Sequence, residues 1–65
     1  MSKQPPQFAI VDTVCERFPD GSRDPETGTV INRYEFGSQY RYVVRFKDNR
    51  EEVFFERDLL TVPLA

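Results

Sequence analysis

From Phe8 onward, apolar and polar residues alternate with a period of two, and no window sets apolar residues at helical spacing between caps. The pattern is clearest over residues 40–60, YRYVVRFKDNREEVFFERDLL, where two alternating runs flank the polar stretch Lys47-Asp48-Asn49-Arg50. That arrangement predicts a β-hairpin with Asp48-Asn49 at its tip. With this tip, Val44 faces Val53 and Tyr42 faces Phe55 on one surface, while Arg45 faces Glu52 and Arg41 faces Glu56 on the other. A slip that sets Phe46 against Glu52 and Val44 against Phe54 would bring charges onto the apolar face, so the first register is expected.

Upstream, Phe8, Ile10, Val14 and Phe18 share one parity and predict a first strand bent near Asp12. Pro19-Asp20-Gly21-Ser22 and Asp24-Pro25-Glu26-Thr27-Gly28 are consecutive turn signals, which predict a long loop. Alternation resumes over residues 29–36, with Val30, Tyr34 and Phe36 on one face and Ile31, Arg33 and Glu35 on the other. A three-residue loop Gly37-Ser38-Gln39 then sets Val30 opposite Phe46, Tyr34 opposite Tyr42 and Glu35 opposite Arg41. A two-residue loop would oppose Val30 to Arg45 and Tyr34 to Arg41, so the longer loop is expected. Arg57-Asp58-Leu59 reads as a short helical turn, residues 60–62 as a closing strand, and Pro63 as its end.

These elements predict an all-β fold: five short strands in a bent sheet that closes into a small barrel, with a short helical turn before the last strand. Residues 1–7, with Pro5-Pro6 and no apolar period, are expected to form a flexible tail, and residues 8–65 a single domain. A chain of 65 residues lies near the lower size limit for folding without a staple. With one cysteine and no histidine, neither an internal disulfide nor a Cys/His metal site is expected, and no cofactor is implied. A lone thiol and the lack of a long apolar run suggest a cytoplasmic protein with no membrane span.

Charge changes the picture in one respect. Nine basic and 11 acidic side chains, with a pI near 5.0, argue against a protein that lives mainly by gripping nucleic-acid phosphates. The basic residues of 33–50 and the acidic residues of 51–58 answer one another across the predicted hairpin.

Three pieces, "FAIVDTVCERFPDG", "TGTV" and "YVVRFKDNREEVFFERDLL", resemble the SH3-like barrel group, and within it the Tudor-like and KOW-like modules. The resemblance spans residues 8–62. It implies a non-catalytic binding module, with an RNA- or DNA-binding module as the alternative. Tudor-like domains that read methylated lysine or arginine hold the cation in an aromatic cage, and the resemblance places Phe18 and Phe46 at two cage positions. Pro25-Glu26-Thr27 stands where a tyrosine or tryptophan would complete it.

No catalytic constellation emerges, because Cys15 has no histidine to activate it and each of the three glycines falls at a turn. The outward face of the predicted hairpin is different. There Ile31, Val43 and Phe54 converge within a rim that includes Arg33 and Arg45, the anatomy of a protein contact site. The expected function is therefore protein–protein interaction, as an adaptor or small accessory subunit.

Overall fold

The computed structural model describes residues 5–63. It is all-β: β1 (Thr13–Arg17), β2 (Arg23–Phe36), β3 (Gln39–Phe46), β4 (Glu51–Phe55) and β5 (Leu59–Thr61), with a 3-10 turn at Glu56–Asp58 between β4 and β5. All pairings are antiparallel, in the order β4-β3-β2-β1-β5. β4 and β5 are the two edges, so this single sheet is bent but not closed into a barrel. Residues 1–4 of the expected tail lie outside the described residues, as do residues 64 and 65.

Turn chemistry decides both hairpin registers, and both differ by one residue from expectation. At the β3–β4 tip, Asn49 takes φ 66°, the Phe46 N–H donates to Arg50 O (2.9 Å), and the Asn49 N–H donates to Phe46 O (3.0 Å). A residue in the left-handed region at that place closes a three-residue loop, Lys47-Asp48-Asn49. Val44 therefore faces Glu52, Tyr42 faces Phe54, Val43 faces Val53 and Arg45 faces Glu51. The whole apolar set of β4 is exchanged between faces.

At the β2–β3 tip, Gly37 has φ 64° and Ser38 does not share it, the φ signature of a two-residue II′ loop. Tyr34 accordingly faces Arg41, and Arg33 faces Tyr42. The register then shifts between Val30 and Asn32, so that Val30 faces Val44 and Ile31 is the extra residue of a β-bulge. The bulge splits the expected face, with Val30 inside and Tyr34 and Phe36 outside.

The expected long loop is mostly strand. A tight turn at Phe18–Ser22, with Gly21 at φ 88°, starts β2 at Arg23. Pro25, which has no N–H to give a ladder, sits where the β1–β2 register shifts between Cys15 and Arg17. Asp24 Oδ1 accepts the Glu26 N–H there (2.9 Å).

The inner face holds the core: Val14, Val30, Tyr42, Val44, Phe46 and Leu59, with Tyr40 and Phe54 packed against it. Gly28 belongs to this face because a Cβ there would lie 2.5 Å from Val44 Cγ1. Phe8 does not continue β1 but folds back as a plug, edge-on to Tyr42 with ring centroids 5.2 Å apart. Four contacts clasp it. Tyr42 Oη donates to Glu56 Oε2 (2.6 Å) and accepts the Phe8 N–H (3.4 Å), the Gln7 N–H donates to Glu56 Oε2 (3.0 Å), and Arg33 Nη1 donates to Phe8 O (3.0 Å). Burial, and then the bond to Glu56, push the Tyr42 phenol up to about 12.

Between plug and strand the chain turns through Ala9–Asp12, closed by the Asp12 N–H on Ala9 O (3.1 Å). Val11 occupies the third position of this turn at φ 73°, a conformation that a β-branched side chain rarely adopts. It stays there because its N–H donates to Val30 O (2.7 Å) and the Val30 N–H donates to Asp12 O (2.9 Å).

Candidate functional site

The observed registers gather a different set of side chains on the outer face from the one the alternation suggested. Paired residues share a face, so Tyr34, Arg41 and Phe55 form one row and Val43 and Val53 another. Phe36 is 60% exposed, Val53 52% and Tyr34 40%, while Val43 and Phe55 are half-buried. Together they make an apolar platform centred on one cation.

That cation is Arg41. Its guanidinium carbon lies 4.1 Å from the centroid of the Phe36 ring and 4.8 Å from that of Phe55. Arg57 lies over the same Phe55 ring at 5.1 Å, so that ring meets two guanidinium groups. Each exposed stack of this kind contributes about 0.5–1 kcal/mol. Arg41 Nε is buried and has no hydrogen-bond partner among the described residues. The side chains that flank Arg41 on this face by register, Tyr34, Phe36, Val43 and Phe55, bring no carboxylate.

The other end of the same face is balanced internally. Arg45 donates to Glu51 Oε2 through Nε (3.2 Å) and Nη2 (2.8 Å). On the inner side, Arg50 pairs with Glu26 (2.7 Å) and Glu52 (3.1 Å) and covers the Phe46 ring at 4.6 Å.

Of the residues singled out from sequence, Val43 lies on the platform. Ile31 sits half-buried in the bulge, beside an open hollow of about 530 Å³ lined by Thr13, Thr27, Thr29, Arg45 and Lys47. Phe54 turns inward, edge-on to Phe46 with centroids 6.2 Å apart, and does not meet Val43. Arg33 is committed to the clasp and Arg45 to Glu51. Phe18 is half-buried at the end of β1, whereas Phe46 is 6% exposed within the core, so its ring is not an open cage wall. Cys15 is 2% exposed.

Alternation alone does not find Tyr34, Phe36, Arg41, Val53, Phe55 and Arg57 as a group. The available signals were Asn49 as a left-handed turn residue and Gly37-Ser38 as a two-residue loop, each of which moves a register by one. Comparison with protein-family models, curated proteins and solved structures returned no match. Among the described residues, no helix is long and apolar enough to cross a membrane.

Proposed function

We propose that this chain is a non-catalytic protein-interaction module, an adaptor or small accessory subunit, that receives its partner on the outer face of β2, β3 and β4. The observation that carries this reading is the exposure of Phe36 and Val53 beside an arginine held between two rings. Aromatic residues and arginine are the side chains that most often dominate interface energetics. We further propose that the fold is an unclosed relative of the SH3-like arrangement. In support, β2, β3 and β4 form a meander, and the 3-10 turn returns the chain to pair β5 with β1.

A nucleic-acid module of the KOW-like or Tudor-like kind has less support. Base stacking needs free ring faces, and Phe55 has Arg41 and Arg57 against its ring.

Affinity capture from cells that express the tagged chain tests the reading. Val53→Glu should abolish capture without lowering the melting temperature, while Thr29→Glu, at the balanced end of the face, should leave capture intact. Capture that survives Val53→Glu, or disappears after nuclease treatment, overturns the reading.

A further inference from the structure

We infer that the docked segment is acidic and seats a carboxylate against Arg41, between Phe36 and Phe55. This rests on the outer face being the docking surface and names the chemistry of what docks there.

Three observations converge on a carboxylate. The Arg41 guanidinium carbon lies over two rings, 4.1 and 4.8 Å from their centroids, so its charge rests against apolar ring surfaces and its N–H groups are the donors it offers to a ligand. A fixed planar fork of this kind matches a carboxylate in two parallel hydrogen bonds. Secondly, Arg41 Nε is buried without a partner among the described residues. A buried charged donor left unpaired is costly, so an acceptor that reaches it gains more than one that meets a solvated arginine. Thirdly, Arg45 and Arg50 have glutamates from this chain, whereas among the described residues the register places Tyr34, Phe36, Gln39, Val43 and Phe55, none of them a carboxylate, around Arg41. Charge complementarity at this spot is left for another molecule to supply.

A protein carboxylate fits better than a phosphate of a nucleic acid. The surface next to Arg41 is aliphatic, Val43 and Val53, and accommodates apolar side chains two residues apart on an extended segment. The chain as a whole is acidic, with a formal charge of −2, which opposes accumulation on a polyanion.

The test is selection from a random peptide library displayed on phage, with the full-length chain as bait, beside selection from random single-stranded DNA. Enriched peptides should share one aspartate or glutamate flanked by apolar residues. Replacing that residue by its amide should weaken binding at least about tenfold, the scale of a charge-assisted bidentate contact. Arg41→Met bait should no longer select the acidic position, Arg41→Lys should fall between, and adding the peptide should shift the Arg41 Nε–H resonance. If the enriched peptides lack an acid, or their acid is indifferent to Arg41→Met, the carboxylate inference falls and the docking face stands. If no peptide is enriched, or enrichment persists in Val53→Glu bait, the docking face falls and the inference with it. Enrichment of single-stranded DNA through Arg41 replaces both with a nucleic-acid site. Should Arg41→Met fail to fold, the peptide-side amide substitution and Arg41→Lys decide the outcome.

Discussion

On the inner face of β4, Phe54 packs against Phe46 and the buried core, and the nearby cations Arg33 and Arg50 meet a carbonyl oxygen or carboxylates of this chain. On the outer face, one residue along, Phe55 lies against Arg41 and Arg57, with Val53 half in solvent beside it. Both faces contain aromatic rings and arginines, so composition does not separate them. What separates them is whether the arginine's acceptor is supplied internally. A face that satisfies its own donors contributes to folding, and a face that leaves one donor buried and unpaired is the one on which the proposed docking rests.

The contrast predicts opposite outcomes for adjacent residues. Phe54→Ala should cost about 2–3 kcal/mol, roughly 10–20 °C in melting temperature, because it removes a ring that is half-buried against the core. Phe55→Ala should cost about 1–2 kcal/mol, the scale of its two cation–π contacts with Arg41 and Arg57, while abolishing peptide binding. Thermal denaturation of the two variants settles it; equal losses would mean that the faces do not differ.

A second test is alkaline titration. The Tyr42 phenol is held at about 12 in the folded chain, above its ordinary 10, so the protonated form is favoured by folding. The associated stability is fully present below pH 10 and is lost as pH rises toward 12, amounting to about 2 kcal/mol over that window. Denaturant melts at pH 9 and pH 11.5 should show this loss in the wild type. Tyr42→Phe should be less stable at pH 9, because Glu56 Oε2 and the Phe8 N–H lose their shared partner, and should have a flatter profile.

Two smaller effects sharpen the comparison. Val11→Asn should raise stability by about 1 kcal/mol, since the left-handed region at φ 73° is less costly for asparagine than for a β-branched residue. A lower melting temperature would mean that the Val11 side chain contributes to holding the Phe8 plug. At the balanced end of the outer face, Arg45→Ala should cost about 0.2–1 kcal/mol, the range for exposed ion pairs, and should leave peptide affinity unchanged. A loss of affinity equal to that of Arg41→Met would dissolve the distinction between the two ends.

The all-β class and the positions of the two hairpin tips are legible in the alternation. Tyr42, Val44 and Phe46 are assigned to the inner face from sequence and are found there. Register is not legible, and the reason lies in the residues themselves. Glu51-Glu52-Val53-Phe54-Phe55 reads almost the same after a slip of one, with a glutamate opposite Arg45 and an aromatic opposite Tyr42 either way. Charge segregation at Val44 and Arg41 favours the register that is not observed, because the observed one sets Val44 against Glu52 and Arg41 against Phe55, and the left-handed Asn49 overrides it. In β2 the bulge at Ile31 reverses parity between Val30 and Tyr34, which no regular alternation encodes. The candidate platform was hidden for the same reason, because all its aromatic members lie beyond one of these two shifts.

An unclosed sheet has two free borders, and here neither invites a sixth strand. β5 is three residues long and is soon followed by Pro63, which cannot donate to a further ladder. β4 is five residues long and opens with the exposed pair Glu51-Glu52, so a second copy aligned in parallel would set its glutamates beside these, and one aligned antiparallel would set them against Phe55 and Phe54. Edge-to-edge stacking into fibrils is thereby discouraged in a chain with an otherwise strong strand-forming sequence.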